Sequence, residues 1–165
     1  MKMTLILMRH AKAAHPEDTA DHDRPLAERG REAAAAMGRW LAGEGITPDL
    51  AMHSSALRTR ETWEGVREGA GWSVDGASER RLYNAPASGI RSVIAGSDGG
   101  TILVIGHNPG IGELAVHLAE AAPGHPRFHD YPTAATTVLR FEATDWPAAM
   151  RRKGDVAAFA VPADL

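Results

Sequence analysis

The chain has 165 residues, a formal net charge of -3, 44% hydrophobic residues and no cysteine. The size suits a single domain, 1–165, whose core needs neither disulfide nor structural metal. Without cysteine there is no disulfide, no thiolate metal site and no cysteine nucleophile. The slight excess of acids argues against general nucleic-acid binding, which calls on a basic stripe.

The opening apolar run stops at Arg9 and His10, too early for a secretory signal. No apolar stretch approaches the roughly 20 residues of a membrane-spanning helix. The expectation is a cytoplasmic protein that engages neither membrane nor nucleic acid.

In chain order, residues 4–8 are a short apolar run bounded by charge, which predicts a buried strand. Residues 11–25 are polar and read as a loop. From Leu26 the spacing of Ala33, Met37, Trp40 and Leu41 predicts a helix that Gly43 and Gly45 end. Residues 50–53 form a second strand candidate. Ser54 and Ser55 can cap a helix over about 56–68, and short elements follow around Leu82 and Tyr83. Residues 88–95 look helical. Residues 101–105, Thr-Ile-Leu-Val-Ile, are the clearest strand in the chain, and Pro109 stands where a helix can begin. Two weaker strands are expected over 136–141 and 156–161. Alternation of strands with helices predicts an α/β layer fold with a mostly parallel sheet.

In such sheets, sites form beyond the carboxyl ends of strands. Three strand ends carry chemistry: Arg9-His10, Ser54-Ser55 with Arg58, and His107-Asn108. An arginine fork matches phosphate oxygens and stays charged. A neutral imidazole can attack phosphorus and hold the phosphoryl group covalently. A second histidine can bond the same oxygens, and a helix N-terminus near Pro109 favours an anion there. The four side chains together predict a phosphate pocket with its own nucleophile.

The motifs also carry a resemblance. Residues 5–11, Leu-Ile-Leu-Met-Arg-His-Ala, residues 54–62 around Arg58, and residues 104–108, Val-Ile-Gly-His-Asn, resemble the signatures of the histidine phosphatase (phosphoglycerate mutase-like) superfamily. Residues 9–13, 23–26 with Arg29-Gly30, 82–85 and 106–110 look more narrowly like the SixA-type phosphohistidine phosphatases. The resemblance implies a three-layer α/β/α sandwich and a metal-independent phosphatase without a cofactor. It makes His10 the phosphate-accepting nucleophile, with Arg9, Arg58 and His107 completing the pocket. Arg24 and Asn108 join as further phosphate- or substrate-binding residues. The partner it implies is a phosphohistidine-bearing protein such as a phosphotransfer domain.

Two departures stand out. The usual Arg-His-Gly is Arg-His-Ala here, a change that SixA-type sequences also show. Ester-cleaving relatives place a glutamate as general acid near residues 82–84, where this chain has Asn84. An alkoxide leaves poorly without an acid, whereas the phosphoramidate bond of phosphohistidine is more labile. Glu17, Asp18 and Glu79 are the carboxylates that could supply a proton instead. A phosphatase for a small phosphorylated metabolite and a non-catalytic phosphate-recognition module are the alternatives. A mutase fits less well in a chain this short.

Other patterns read more plainly. His10, His15, Asp18, Asp21, His22 and Asp23 are metal-ligand types without a metal-site spacing, and a solvated loop explains the run. Ser55 reads as a helix cap and Lys12 as a solvated lysine. Gly110-Ile111-Gly112 mimics a dinucleotide fingerprint but lies too far from its strand; its glycines are expected to let the helix pack closely on the sheet.

Overall fold

The computed structural model describes residues 2–165. In chain order the elements are β1 (Lys2–Arg9), α1 (Glu28–Gly43), β2 (Leu50–His53), α2 (Leu57–Ala70), β3 (Gly76–Ser78), α3 (Ala87–Ala95), β4 (Thr101–Gly106), α4 (Gly110–Leu118), β5 (Thr136–Glu142), α5 (Trp146–Ala149) and β6 (Asp155–Ala160). The strands form one sheet in the order β3-β2-β4-β1-β5-β6. Strands β3, β2, β4 and β1 are mutually parallel, β5 runs against β1, and β6 runs against β5.

Strand β1 shows why its run is continuously apolar: it is covered on both faces. Leu5 and Leu7 join Ile90, Val93 and Leu114 in the core beneath α3 and α4. Ile6 and Met8 join Ala34, Met37, Leu41 and Val66 in the core beneath α1 and α2. Side chains alternate along a strand, so two adjacent leucine-type residues serve two separate cores. The result is a mostly parallel sheet between two helical layers, as the sequence predicts.

Several boundaries differ for identifiable reasons. Helix α1 starts at Glu28, because Leu26 is held in an antiparallel bridge with Ala13. Its buried stripe is Gly30, Ala34, Met37, Gly38 and Leu41, not one built on Ala33 and Trp40. Glycine carries the contact here: a Cβ on Gly38 would lie 2.1 Å from the Val66 carbonyl oxygen, and one on Gly69 2.1 Å from that of Ala35. Apolar periodicity cannot see a face made of missing side chains. Strand β3 is Gly-Ala-Ser and fully exposed, so it carries no hydrophobic signal. Gly76 is there because the Trp63 indole Nε1 would stand 2.3 Å from its Cβ. Likewise Gly110 and Gly112 let α4 press on the Ala85 carbonyl and on Tyr131 rather than on the sheet. In the C-terminal part, α5 buries Trp146, whose Nε1 donates to the Gly99 carbonyl at 2.6 Å.

The topology makes the crevice. Strands β1 and β4 are neighbours and parallel, yet the chain leaves β1 for α1 on one face and leaves β4 for α4 on the other. Diverging connections open a gap at the carboxyl ends of the two strands. Helix α1 is held close to this gap by Gly30, where a Cβ would lie 2.1 Å from the Lys12 carbonyl oxygen. Gly30→Ala should therefore destabilise the protein by about 1–3 kcal/mol, as overpacking of a tight contact does; urea unfolding measures it. Wild-type stability in that variant would mean that the α1 contact yields freely.

Candidate active site

His10 sits one residue beyond β1. Its backbone N–H donates to the Gly106 carbonyl at 3.0 Å, and its carbonyl accepts from Ala134 at 3.0 Å, so the residue is pinned to both neighbouring segments. The residue is 9% exposed. Nδ1 lies 2.7 Å from the Ala11 carbonyl oxygen, which can only accept, so Nδ1 carries the proton. That leaves Nε2 with a free lone pair. Burial, with the charges of Arg58, Arg9 and Arg24, pushes the imidazole down to about 4 against the opposing bond to Ala11. It is neutral at pH 7 and able to act as a nucleophile.

His107 follows β4, with its ring centroid 5.3 Å from that of His10. Its tautomer follows from its partners. Arg58 Nη2 donates to Nδ1 at 3.2 Å, so Nε2 carries the proton and donates to Ser54 Oγ at 2.7 Å. Ser54 in turn bonds Thr59 Oγ1 at 2.8 Å and accepts from the Ala56 amide at 3.2 Å. Burial, then the neighbouring His10 and Arg58, push His107 down to about 3.

Arg58 lies in the first turn of α2 and is 4% exposed. Its Nη1 donates to the Asp21 carbonyl at 2.8 Å and its Nη2 to Asp21 Oδ2 at 3.1 Å. Arg9 donates from Nη1 to the Tyr131 carbonyl at 3.2 Å. Among the described residues, Arg9 Nε and Arg58 Nε are the buried side-chain nitrogens and oxygens without a hydrogen-bond partner. A buried unpaired donor costs about 1–3 kcal/mol and calls for an explanation.

All six residues expected at the site line one cavity of about 290 Å³: Arg9, His10, Arg24, Arg58, His107 and Asn108, with Lys12, Ala13, His15, Asn84 and Thr133. Four of these side chains are permanent cations and none is a carboxylate, in a protein whose net charge is -3. Arg24 reaches the cavity while held by Asp21 Oδ1 at 3.1 Å, the Ala14 carbonyl at 3.1 Å and His15 Nε2 at 2.8 Å. The Asn108 amide is engaged on both sides, accepting from the Gly112 amide at 3.1 Å and donating to the Tyr131 carbonyl at 2.9 Å. It fixes the start of α4 as well as lining the cavity.

Among the described residues no carboxylate lines the cavity. Glu17, Asp18 and Glu79 do not line it. Glu79 is bound to Arg81 at 2.9 and 3.0 Å, which holds its carboxyl down at about 2. Asn84 does line the cavity, in the left-handed backbone region (φ 48°) that asparagine tolerates.

Ser55 is not a helix cap: α2 begins after Ala56 without a side-chain cap, and Ser55 Oγ instead bonds His22 Nε2 at 2.9 Å. The loop before α1 is solvent-exposed at His15, Asp18, Asp21, His22 and Asp23, as expected, while the Asp21 carboxylate also bonds Arg24, Arg58 and Tyr83. Among the described residues no three of His, Cys, Asp and Glu gather as a metal site. Sequence reading missed Asp21, Tyr83 and the role of Ser54. The Asp21-x-x-Arg24 spacing was the available signal, lost within a dense acidic run.

Residues 5–84 match the Histidine phosphatase superfamily (branch 1). An uncharacterized protein of Mycobacterium tuberculosis is 37% identical over 140 residues, covering 81% of this chain and 86% of the relative. The structure assigned as phosphohistidine phosphatase SixA from Nakamurella multipartitia superposes with a TM-score of 0.82 at 29% identity, over 98% of this chain and 97% of that one. The one assigned as SixA from Agrobacterium tumefaciens gives 0.78 at 26% identity, over 97% and 98%. The chain belongs to the histidine phosphatase superfamily and is structurally similar to SixA-type proteins.

The depressed histidines set a pH signature. Between about 4 and the unperturbed 6.5 the unfolded chain binds a proton at His10 that the folded chain does not. Stability should thus be full above pH 6.5 and fall as pH drops towards 4, by about 3 kcal/mol for a shift of this size. In an NMR titration the His10 ring should titrate near 4. A midpoint near 6.5 would contradict the buried neutral imidazole.

Proposed function

We propose that this protein is a phosphatase that hydrolyses phosphohistidine on proteins through a covalent phosphohistidine intermediate at His10. The observation that carries the reading is the cavity itself: four cations and no carboxylate surround a neutral imidazole whose Nε2 lone pair is free. Arg9 and Arg58, each with an unpaired buried Nε–H, are the groups to hold and neutralise phosphoryl oxygens. With the free ring nitrogen of the substrate phosphohistidine protonated from solvent, His10 Nε2 attacks phosphorus, the P–N bond breaks and the substrate leaves as a neutral imidazole. Water then attacks the phosphorus held on His10, the P–Nε2 bond breaks, and inorganic phosphate leaves with a proton released to solvent. A dianion held beside His107 raises its affinity for a proton; protonated at Nδ1 in place of the bond that nitrogen accepts from Arg58 Nη2, the ring becomes a donor to a phosphoryl oxygen.

The absence of a carboxylic acid from the cavity wall supports phosphohistidine over a phosphoester. The ester's alkoxide needs a proton as it leaves, and Asn84 supplies none. A protein substrate, such as a phosphotransfer domain, suits a site without a long covering insertion. No helix among the described residues is long and apolar enough to cross a membrane, and we read the protein as cytoplasmic, a single domain acting without metal.

The test compares phosphate release from a phosphohistidine-bearing protein with release from a panel of phosphomonoesters, in the presence of EDTA. The expected result is preference for the phosphoramidate, with His10→Ala slower by about a thousandfold or more and Asn84→Glu raising ester hydrolysis. Preference for one ester would move the function to a metabolite phosphatase. Release that survives His10→Ala would remove the nucleophile assignment, and release from neither class would leave a phosphate-recognition module.

A further inference from the structure

The loop between β1 and α1 brings one carboxylate against the back of the cavity. Asp21 Oδ1 accepts from Arg24 Nη1 at 3.1 Å. Its Oδ2 accepts from Arg58 Nη2 at 3.1 Å and from the Tyr83 hydroxyl at 2.5 Å. Its backbone carbonyl accepts from Arg58 Nη1 at 2.8 Å. Asp21 does not itself line the cavity, although both arginines do. One residue thus fixes two of the four cations, and through Arg58 Nη2 it also reaches His107 Nδ1.

An arginine side chain is long and rotamer-rich, and it serves a phosphoryl group only when its fork is already aimed. Arg58 needs such fixing, because the cavity crowds it with Arg9, Arg24 and Lys12, whose like charges would drive it outward. Asp21, bound to both terminal nitrogens of Arg58, offsets that repulsion and leaves the Arg58 Nε–H unpaired for a ligand. The same contacts account for the deep depression of the Asp21 carboxyl, led by the Tyr83 hydroxyl and followed by Arg24 and Arg58. Tyr83 in turn stands edge-on to the His107 ring at 5.5 Å and to His22 at 5.0 Å, so the hydroxyl that holds Asp21 is itself braced.

We propose that Asp21, oriented by the Tyr83 hydroxyl, is the positioning residue of the phosphate pocket, holding Arg58 and Arg24 in the arrangement that binds the phosphoryl group. The inference rests on the phosphatase reading for its meaning in turnover, but phosphate binding tests it whichever phosphorylated substrate proves correct.

The full-length protein and its Asp21→Asn and Tyr83→Phe variants would be compared by calorimetric titration with inorganic phosphate, thermal unfolding, and kcat on the phosphohistidine protein. Asp21→Asn keeps the shape and removes the charge. It should weaken phosphate binding by about tenfold or more and lower kcat by a similar factor, as loss of charge-assisted bonds does, while the melting temperature stays within a few degrees. Tyr83→Phe keeps the ring beside the Arg58 guanidinium and removes the hydroxyl, with its bond to Asp21 and its interaction with Arg58, and should weaken phosphate binding by about threefold or more. Unchanged or tighter phosphate binding in Asp21→Asn would overturn the proposal, since Asp21 would then be only a countercharge opposing the ligand. If Asp21→Asn does not fold, the Tyr83→Phe titration decides, and wild-type affinity there is the contradicting result.

Discussion

The structure turns on keeping two imidazoles neutral beside three arginines at the ends of two neighbouring parallel strands. His10 and His107 are both almost removed from water, and the guanidinium charges around them make protonation unfavourable a second time. A nitrogen base that stays unprotonated well below pH 7 is a nucleophile without any group to deprotonate it. The hydrogen bonds supply direction: Ala11 fixes the proton on Nδ1 of His10, while Ser54 and Arg58 fix it on Nε2 of His107. The two rings therefore have opposite tautomers and different roles before any ligand arrives.

The rest of the fold serves this arrangement. Parallel pairing of β1 with β4 sets Arg9 opposite Gly106, one residue before each histidine. Pairing of β2 with β4 brings Ser54 beneath His107. The close glycine contacts of α1 with α2 and with Lys12 seat the helix that carries Arg58 against the loop that carries Asp21. Cationic concentration on one small cavity in an acidic protein is then a local consequence of which strand ends meet, not of overall composition.

Much of this was legible in the sequence, because strands β1 and β4 are continuous apolar runs and the reactive residues follow them directly. Arg9, His10, Arg58, His107, Arg24 and Asn108 were readable as one site from strand ends and motif likeness, and they do line one cavity. What escaped reading depends on contacts distant in sequence. Asp21 acquires its partners only when Arg58 and Tyr83 fold onto it, and Ser54 acquires His107 across 53 positions. The buried face of α1 was legible at Met37 and Leu41 but not where Gly30 and Gly38 make it, and strand β3 was invisible because all three of its residues are exposed.

The central claim is that His10 Nε2 takes the phosphoryl group covalently. Mixing the protein with phosphohistidine substrate and quenching in alkali within milliseconds, followed by peptide mass spectrometry, reads this directly. The account predicts a phosphoryl group on the peptide containing residues 9–12, localised to His10, appearing before free phosphate and decaying with its release. Turnover at full rate with no phosphoryl group ever found on His10 would contradict it and require water to attack the substrate directly.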